Sequence, residues 1–258
     1  MLVVIAAIIG VACVDMSAPT GPASISVLQL PSPSVVVGDV MRDSTGAPAK
    51  LGVIAFDANG TPTGDVSAQF FVTDTGAPAK VDLDGTITGI RVGTVHVVGQ
   101  IGALQTPVAA IPVSVAPTHI APAVPKIDTL IAPLSADSTQ RGTMAAGVVV
   151  SGDTGSGANG FIVKYTLVHA PDTTSTSKTP AIFLADDLGH PSTVDTTDAS
   201  GHASRSVVVI TAFLRDTSFA RGRVDSAVVM AQASYKGALV PPSPIRLVIP
   251  IVVRLKLP

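Results

Sequence analysis

The sequence has no tryptophan, a single cysteine and few aromatic or charged residues, and each shortage excludes something. The lone cysteine, Cys13, rules out an intrachain disulfide and any cysteine-based zinc site, so stability has to come from packing. Aromatic residues make up 3% of the chain, with Tyr165 and Tyr235 as its only tyrosines, so exposed rings for a sugar-binding platform are scarce. Charged residues are 13%, and the 16 Lys and Arg are scattered, with a net charge of −2. No basic stripe neutralises phosphates, which argues against a nucleic-acid partner.

What is present is 47% apolar residue, chiefly Val, Ala, Ile and Leu, together with 23 Gly and 21 Pro. Prolines and glycines spread along the whole chain make turns frequent and long helices unfavourable. The expected class is all-β, and 258 residues are enough for two domains with separate cores.

Residues 2–11 are apolar apart from Gly10, about the length of a signal-peptide core and short of the roughly 20 residues that span a membrane. Met1 runs straight into Leu2 without the usual basic start, which leaves room for a start further upstream. Gly10-Val11-Ala12-Cys13 is similar to the lipobox of bacterial lipoproteins, in which a small residue precedes the cysteine that is lipidated. Gly10 stands where that motif usually has leucine. The resemblance implies lipid on Cys13, and the alternative is a cleaved signal peptide that happens to contain a cysteine. Residues 1–22 are thus expected to be a signal or anchor segment and a tether.

Residues 23–116 are expected to form the first domain. Short β-branched runs alternate with turns about every ten residues, the pattern of a sandwich. The organising stretch is Val81-Asp82-Leu83-Asp84-Gly85-Thr86-Ile87-Thr88-Gly89, followed by Gly93-Thr94 and the unbroken run Val95-His96-Val97-Val98. Asp84-Gly85 predicts a two-residue hairpin turn. With Gly38, the Asp57-x-Asn59-Gly60 turn and the aromatic pair Phe70-Phe71, this stretch resembles the bacterial immunoglobulin-like domain of group two. That family occurs in intimin- and invasin-type adhesins and in exported envelope proteins. Its middle strand commonly carries a tryptophan, whose volume Phe70 or Phe71 must fill here.

Residues 117–126, with Pro117, Pro122 and Pro125, are expected to be a stiff linker that holds two modules apart. Residues 127–258 are the expected second domain. Within it, Thr197, Asp198, Gly201 and Ala203 match the TD-x-x-G-x-A signature, and the segment is similar to group-one bacterial immunoglobulin-like domains. From Ile245 to Leu257 every second residue is apolar, with Arg246, Arg254 and Lys256 between them, which marks a half-buried strand. The fold expected overall is two tandem immunoglobulin-like Greek-key β-sandwiches.

Reaction chemistry is sparse. Asp-Thr-Gly occurs at Asp74-Thr75-Gly76 and at Asp153-Thr154-Gly155. Aspartic proteases use two such motifs to bring together carboxylates that share one proton and activate water. Here the motifs fall in different expected sandwiches, and Asp, Thr and Gly are ordinary turn residues. His96, His119, His169, His190 and His202 show no close metal spacing, and residues 152–160 have the glycines of a phosphate loop without its lysine. Asp57, Asn59, Asp82, Asp84, Asp195 and Asp198 could offer oxygen ligands to calcium, but Pro62 breaks the EF-hand order. No cofactor and no metal site are expected.

These features predict an exported, membrane-anchored protein of the cell envelope, either a non-enzymatic spacer or a scaffold for an unidentified protein or polysaccharide. The alternatives are an accessory protein that binds carbohydrate or cell-wall polymer and, more remotely, an aspartic-type hydrolase using Asp74 and Asp153.

Overall fold

A computed structural model describes residues 21–63, 66–125, 127–171, 180–214 and 225–255. The first part of the chain forms β1 (Ser24–Gln29), β2 (Val35–Val36), β3 (Gly52–Phe56), β4 (Gln69–Val72), β5 (Ala79–Val81), β6 (Ile87–Gly89), β7 (Gly93–Ile101), β8 (Leu104–Gln105) and β9 (Ala109–Ser114). One sheet runs β2-β9-β7-β4, with β8 on β7, and faces the pairs β1-β3 and β5-β6. The chain starts antiparallel to β3, then crosses over so that β2 lies parallel to β9, Val35 opposite Val113. This division of strands between two layers is that of an immunoglobulin-like sandwich.

The first core is small and aliphatic, with Met41, Ile87, Val95, Val97 and Ile111 fully buried around Phe70. Of the aromatic pair, Phe70 fills the core and Phe71 faces outward, as neighbouring strand residues must. Gly89 has a packing reason: an added Cβ would lie 2.4 Å from the Val36 carbonyl oxygen, so only glycine lets β6 pass this close to β2.

The hairpin at Asp84-Gly85 differs from the expected two-residue turn. Val81 pairs with Ile87, the Asp82 amide donates to the Thr86 carbonyl at 2.9 Å, and the Gly85 amide donates to the Asp82 carbonyl at 3.0 Å. The loop is therefore the three residues Leu83-Asp84-Gly85, with Gly85 at φ 87° in the left-handed position that such loops require.

The second sandwich comprises β10 (His119–Pro122), β11 (Leu130–Leu134), β12 (Gly142–Ser151), β13 (Ile162–His169), β14 (Ile182–Ala185), β15 (Val194–Thr196), β16 (His202–Val209), β17 (Asp225–Tyr235), β18 (Ala238–Leu239) and β19 (Ile245–Leu255). Its sheets run β10-β12-β16-β14 and β11-β19-β17-β13-β15, with β11 parallel to β19. The same crossover thus recurs. On β19, Ile245, Leu247, Ile249, Ile251 and Val253 point inward and Arg246 and Arg254 outward, as period two requires. Burying each such side chain contributes about 1.5–3 kcal/mol.

The Pro-rich segment is where the structure departs most from the sequence expectation. His119–Pro122 is not a linker but a paired strand, running from His119 opposite Ser151 to Pro122 opposite Val148, with Ile120 fully buried. Pro122 is tolerated because β10 is an edge strand, where a missing N–H need not break the ladder. The second sandwich therefore begins before residue 127. Only residues 115–118 separate β9 from β10.

Candidate functional site

The carboxylates come first, because both the hydrolase and the calcium readings depend on them. The chain has no glutamate; every acidic side chain is the shorter aspartate, which reaches its own nearby backbone. Asp43, Asp57, Asp186 and Asp198 each open a turn in which the glycine three residues on donates to the aspartate carbonyl. In each, Oδ1 accepts the amides two and four residues on; for Asp198 these are Ser200 at 2.8 Å and His202 at 3.0 Å. Bonding to Ser200 holds the Asp198 carboxyl below the usual range.

The calcium candidates are thus already engaged, and in separate places. Asp57 and Asp198 close their own turns, and Asn59 contributes only its backbone amide to the first of these. Asp82 pairs with Lys80 at 2.7 Å, and Asp84 with Lys50 at 2.6 Å, a pairing that brings the Asp84 pKa down to about 2. Asp195 accepts Ser204 N at 2.7 Å and pairs with Arg205 at 3.0 Å. Among the described residues, no group of three His, Cys, Asp or Glu side chains could hold a metal ion.

The two Asp-Thr-Gly motifs belong to different sandwiches. Asp74, just after β4, accepts the His96 amide on Oδ2 at 2.7 Å and meets the His96 ring on Oδ1 at 2.9 Å. The amide, foremost, holds the Asp74 carboxyl below its usual range, the opposite of what a proton-sharing carboxylate needs. Asp153 lies exposed in a turn after β12, closed by the Gly155 amide donating to the Gly152 carbonyl at 2.9 Å. The structure does not bring the two carboxylates together. Cys13 lies outside the described residues.

What the structure does assemble is a junction between the sandwiches, built on Asp39 in the loop after β2. Its Oδ2 accepts Arg42 Nε at 2.8 Å and the Tyr235 hydroxyl at 2.5 Å, and Lys236 Nζ stands 3.2 Å away. Its Oδ1 accepts Val40 N and Arg42 Nη2, each at 2.9 Å. Arg42, foremost, holds the Asp39 carboxyl far below its usual range, while burial and then the hydrogen bond to Asp39 push the Tyr235 hydroxyl up. Both charged partners come from tight turns. Arg42 donates on to the Gly46 carbonyl at 2.8 Å, and Lys236 adopts a φ of 53° between Tyr235 and Gly237.

Two further contacts join the sandwiches. Ser34 Oγ donates to the Gly160 carbonyl at 3.0 Å, and the Asn159 amide donates to Ser114 Oγ at 2.7 Å. Between the sandwiches, beside the Ser34–Gly160 contact, lies a groove of about 120 Å³, with Arg42, Lys164, Phe161 and Tyr235 among its walls. Its volume falls below the roughly 300 Å³ at which small-molecule sites usually begin. Sequence reasoning missed this cluster because Asp39 and Tyr235 lie far apart in the chain. The faint signal was one of only two tyrosines placed in a Tyr-Lys-Gly turn.

No protein-family model matches the chain, and no curated protein matches it. Among solved structures it is similar to domains 4 and 5 of the S-layer protein SbsC, at 16% identity and a TM-score of 0.32, over 90% of this chain and 99% of that one. In a longer SbsC chain the match spans 29% of that chain. The Yersinia pseudotuberculosis adhesin InvE aligns at 16% identity and a TM-score of 0.33, over 88% of this chain and 57% of that one. The D0-D1 domain of intimin aligns at 13% identity and a TM-score of 0.28, over 90% and 98%. The assignment of two immunoglobulin-like sandwiches rests on the strand topology itself.

Proposed function

We propose that this protein is a non-enzymatic component of a bacterial cell envelope, in which two immunoglobulin-like modules act as a spacer or scaffold on a lipid anchor at Cys13. The observation that carries this reading is the direct seating of one sandwich on the other across residues 115–118, supported by contacts from several loops. Such a tandem suits holding something at a distance from a surface. The aspartates support it too, since they serve turns and ion pairs. Residues 23–116 are proposed as a group-two-like module, and the chain from residue 117 onward as a group-one-like one. A protein partner is favoured over a polysaccharide, because Tyr165 is buried and the Tyr235 hydroxyl is tied to Asp39.

The test is fractionation of cells that express the full chain. Membrane association that Cys13→Ser abolishes is the expected result, together with lipid mass on the N-terminal peptide. Equal partitioning of both forms into the cytosol would overturn the envelope reading.

A further inference from the structure

We infer that Asp39 is the latch of an inter-module joint, and that it holds the two sandwiches at one fixed angle so that they move as a single body. Modules joined only by a short connector are expected to swing relative to one another. Several observations here oppose that. Asp39 gathers donors from both sides of the joint, Arg42 and Val40 from its own module and Tyr235 and Lys236 from the other. Its side chain is only 12% exposed, and bonds to a charged acceptor in such a place are stronger than those of a solvated surface pair.

Shape reinforces charge. The Asp43–Ala47 turn packs so tightly on the Tyr235 hairpin that a Cβ on Gly46 would lie 2.2 Å from the Gly237 nitrogen. Position 46 therefore admits only glycine, while a Cβ on Gly237 would stand 3.1 Å from the Thr45 carbonyl oxygen. Ser34 with Gly160 and Ser114 with Asn159 tie the sandwiches at two other positions. Contacts spread over three positions oppose twisting as well as bending, which one contact cannot do. Val36 also packs into the core cluster of the second sandwich, so swinging the joint open would expose apolar surface. The inference does not depend on where the protein resides and stands or falls apart from the envelope reading.

The experiment measures the distance between modules by pulsed electron paramagnetic resonance. The full chain carries Cys13→Ala and spin labels at two exposed positions, Val108→Cys in the first module and Leu188→Cys in the second. A single narrow distribution is expected for the otherwise native protein. Asp39→Ala, Gly46→Val and the milder Tyr235→Phe should each broaden it, with Asp39→Ala at least doubling its width. Asp57→Asn, in a similar turn on the same module, should leave it narrow. A broad distribution in the native protein would overturn the latch, as would unchanged widths in both Asp39→Ala and Tyr235→Phe with circular dichroism showing both folded.

Discussion

Asp74 takes both the backbone amide and the ring of His96, at 2.7 and 2.9 Å, so the side chain just after β4 is fastened to the middle of β7. The carboxylate replaces part of the ladder where the two strands diverge. Asp74→Ala should lower the unfolding midpoint of the first module, while Asp74→Asn, which keeps an acceptor, should lower it less. The folded carboxyl titrates below the ordinary value of 3.8, so its contribution is present above that pH and is lost as pH falls through the lowered value. Thermal melts between pH 6 and pH 2 should show the wild type converging on Asp74→Ala in acid. Parallel curves over the whole range would refute the role.

Two turn glycines separate backbone strain from crowding. Gly155 and Gly201 have nearly the same φ, 79° and 80°, but a Cβ at Gly155 meets nothing within 4 Å, whereas at Gly201 it would lie 2.1 Å from the Val150 carbonyl oxygen. Gly155→Ala should cost about 1–2 kcal/mol, the left-handed penalty alone. Gly201→Ala adds a clash with backbone and should cost distinctly more. Urea titrations of the two variants give the comparison, and equal losses would mean that the loop simply moves aside.

Much of this architecture is legible in the sequence, for physical reasons. Period-two patterning on β19 survives because each sheet has one buried face. The Asp57-x-Asn59-Gly60 turn and the Asp198–Gly201 segment announce themselves because few other residues can fill their positions, whereas the like turns at Asp43 and Asp186 emerge only with the structure. Phe70 and Phe71 could not be told apart, since adjacent residues point to opposite faces and only the pairing register decides which is inside. The Phe70 aromatic is buried in the core, so Phe70→Ala should cost about 3–5 kcal/mol. Phe71→Ala should stay within about 1 kcal/mol of wild type, as surface substitutions usually do. Denaturant unfolding distinguishes the two, and a larger loss for Phe71 would reverse the register. The Asp39 joint stayed hidden because no local pattern links residues that far apart in sequence.

Tyr165 on β13 sits 2% exposed in the second core, and its hydroxyl has no hydrogen-bond partner among the described residues. Burial pushes the hydroxyl's pKa well above its ordinary value. A polar group desolvated without a partner costs about 1–3 kcal/mol, so removing it should relieve strain rather than create it. Tyr165→Phe is therefore expected to leave the protein as stable as wild type or more stable by up to about 2 kcal/mol. A loss of more than about 1 kcal/mol in equilibrium unfolding would show that the hydroxyl makes a bond in solution.

The boundary between the sandwiches can be tested by where the chain tolerates division. The prolines of residues 117–126 invite a cut in their midst, but Ala121 is central to β10 and pairs with Val149. A cut there splits an edge strand and uncovers Ile120, which is fully buried and whose amide donates to the Pro241 carbonyl at 2.9 Å. A second module begun at residue 127 loses β10 altogether and leaves the edge of β12 open, a template for pairing with other chains. Division between Ala116 and Pro117 falls instead within the stretch that joins β9 to β10. Fragments 21–116 and 117–258 should both be soluble and unfold cooperatively, because each keeps its own aliphatic core. Each should also melt below the intact protein, since separation removes the Asp39–Tyr235 and Ser34–Gly160 contacts. The fragment that starts at residue 127 should be less stable than the one that starts at 117, with more aggregate by size-exclusion chromatography. Equal stability of those two fragments would return residues 117–126 to the role of a linker.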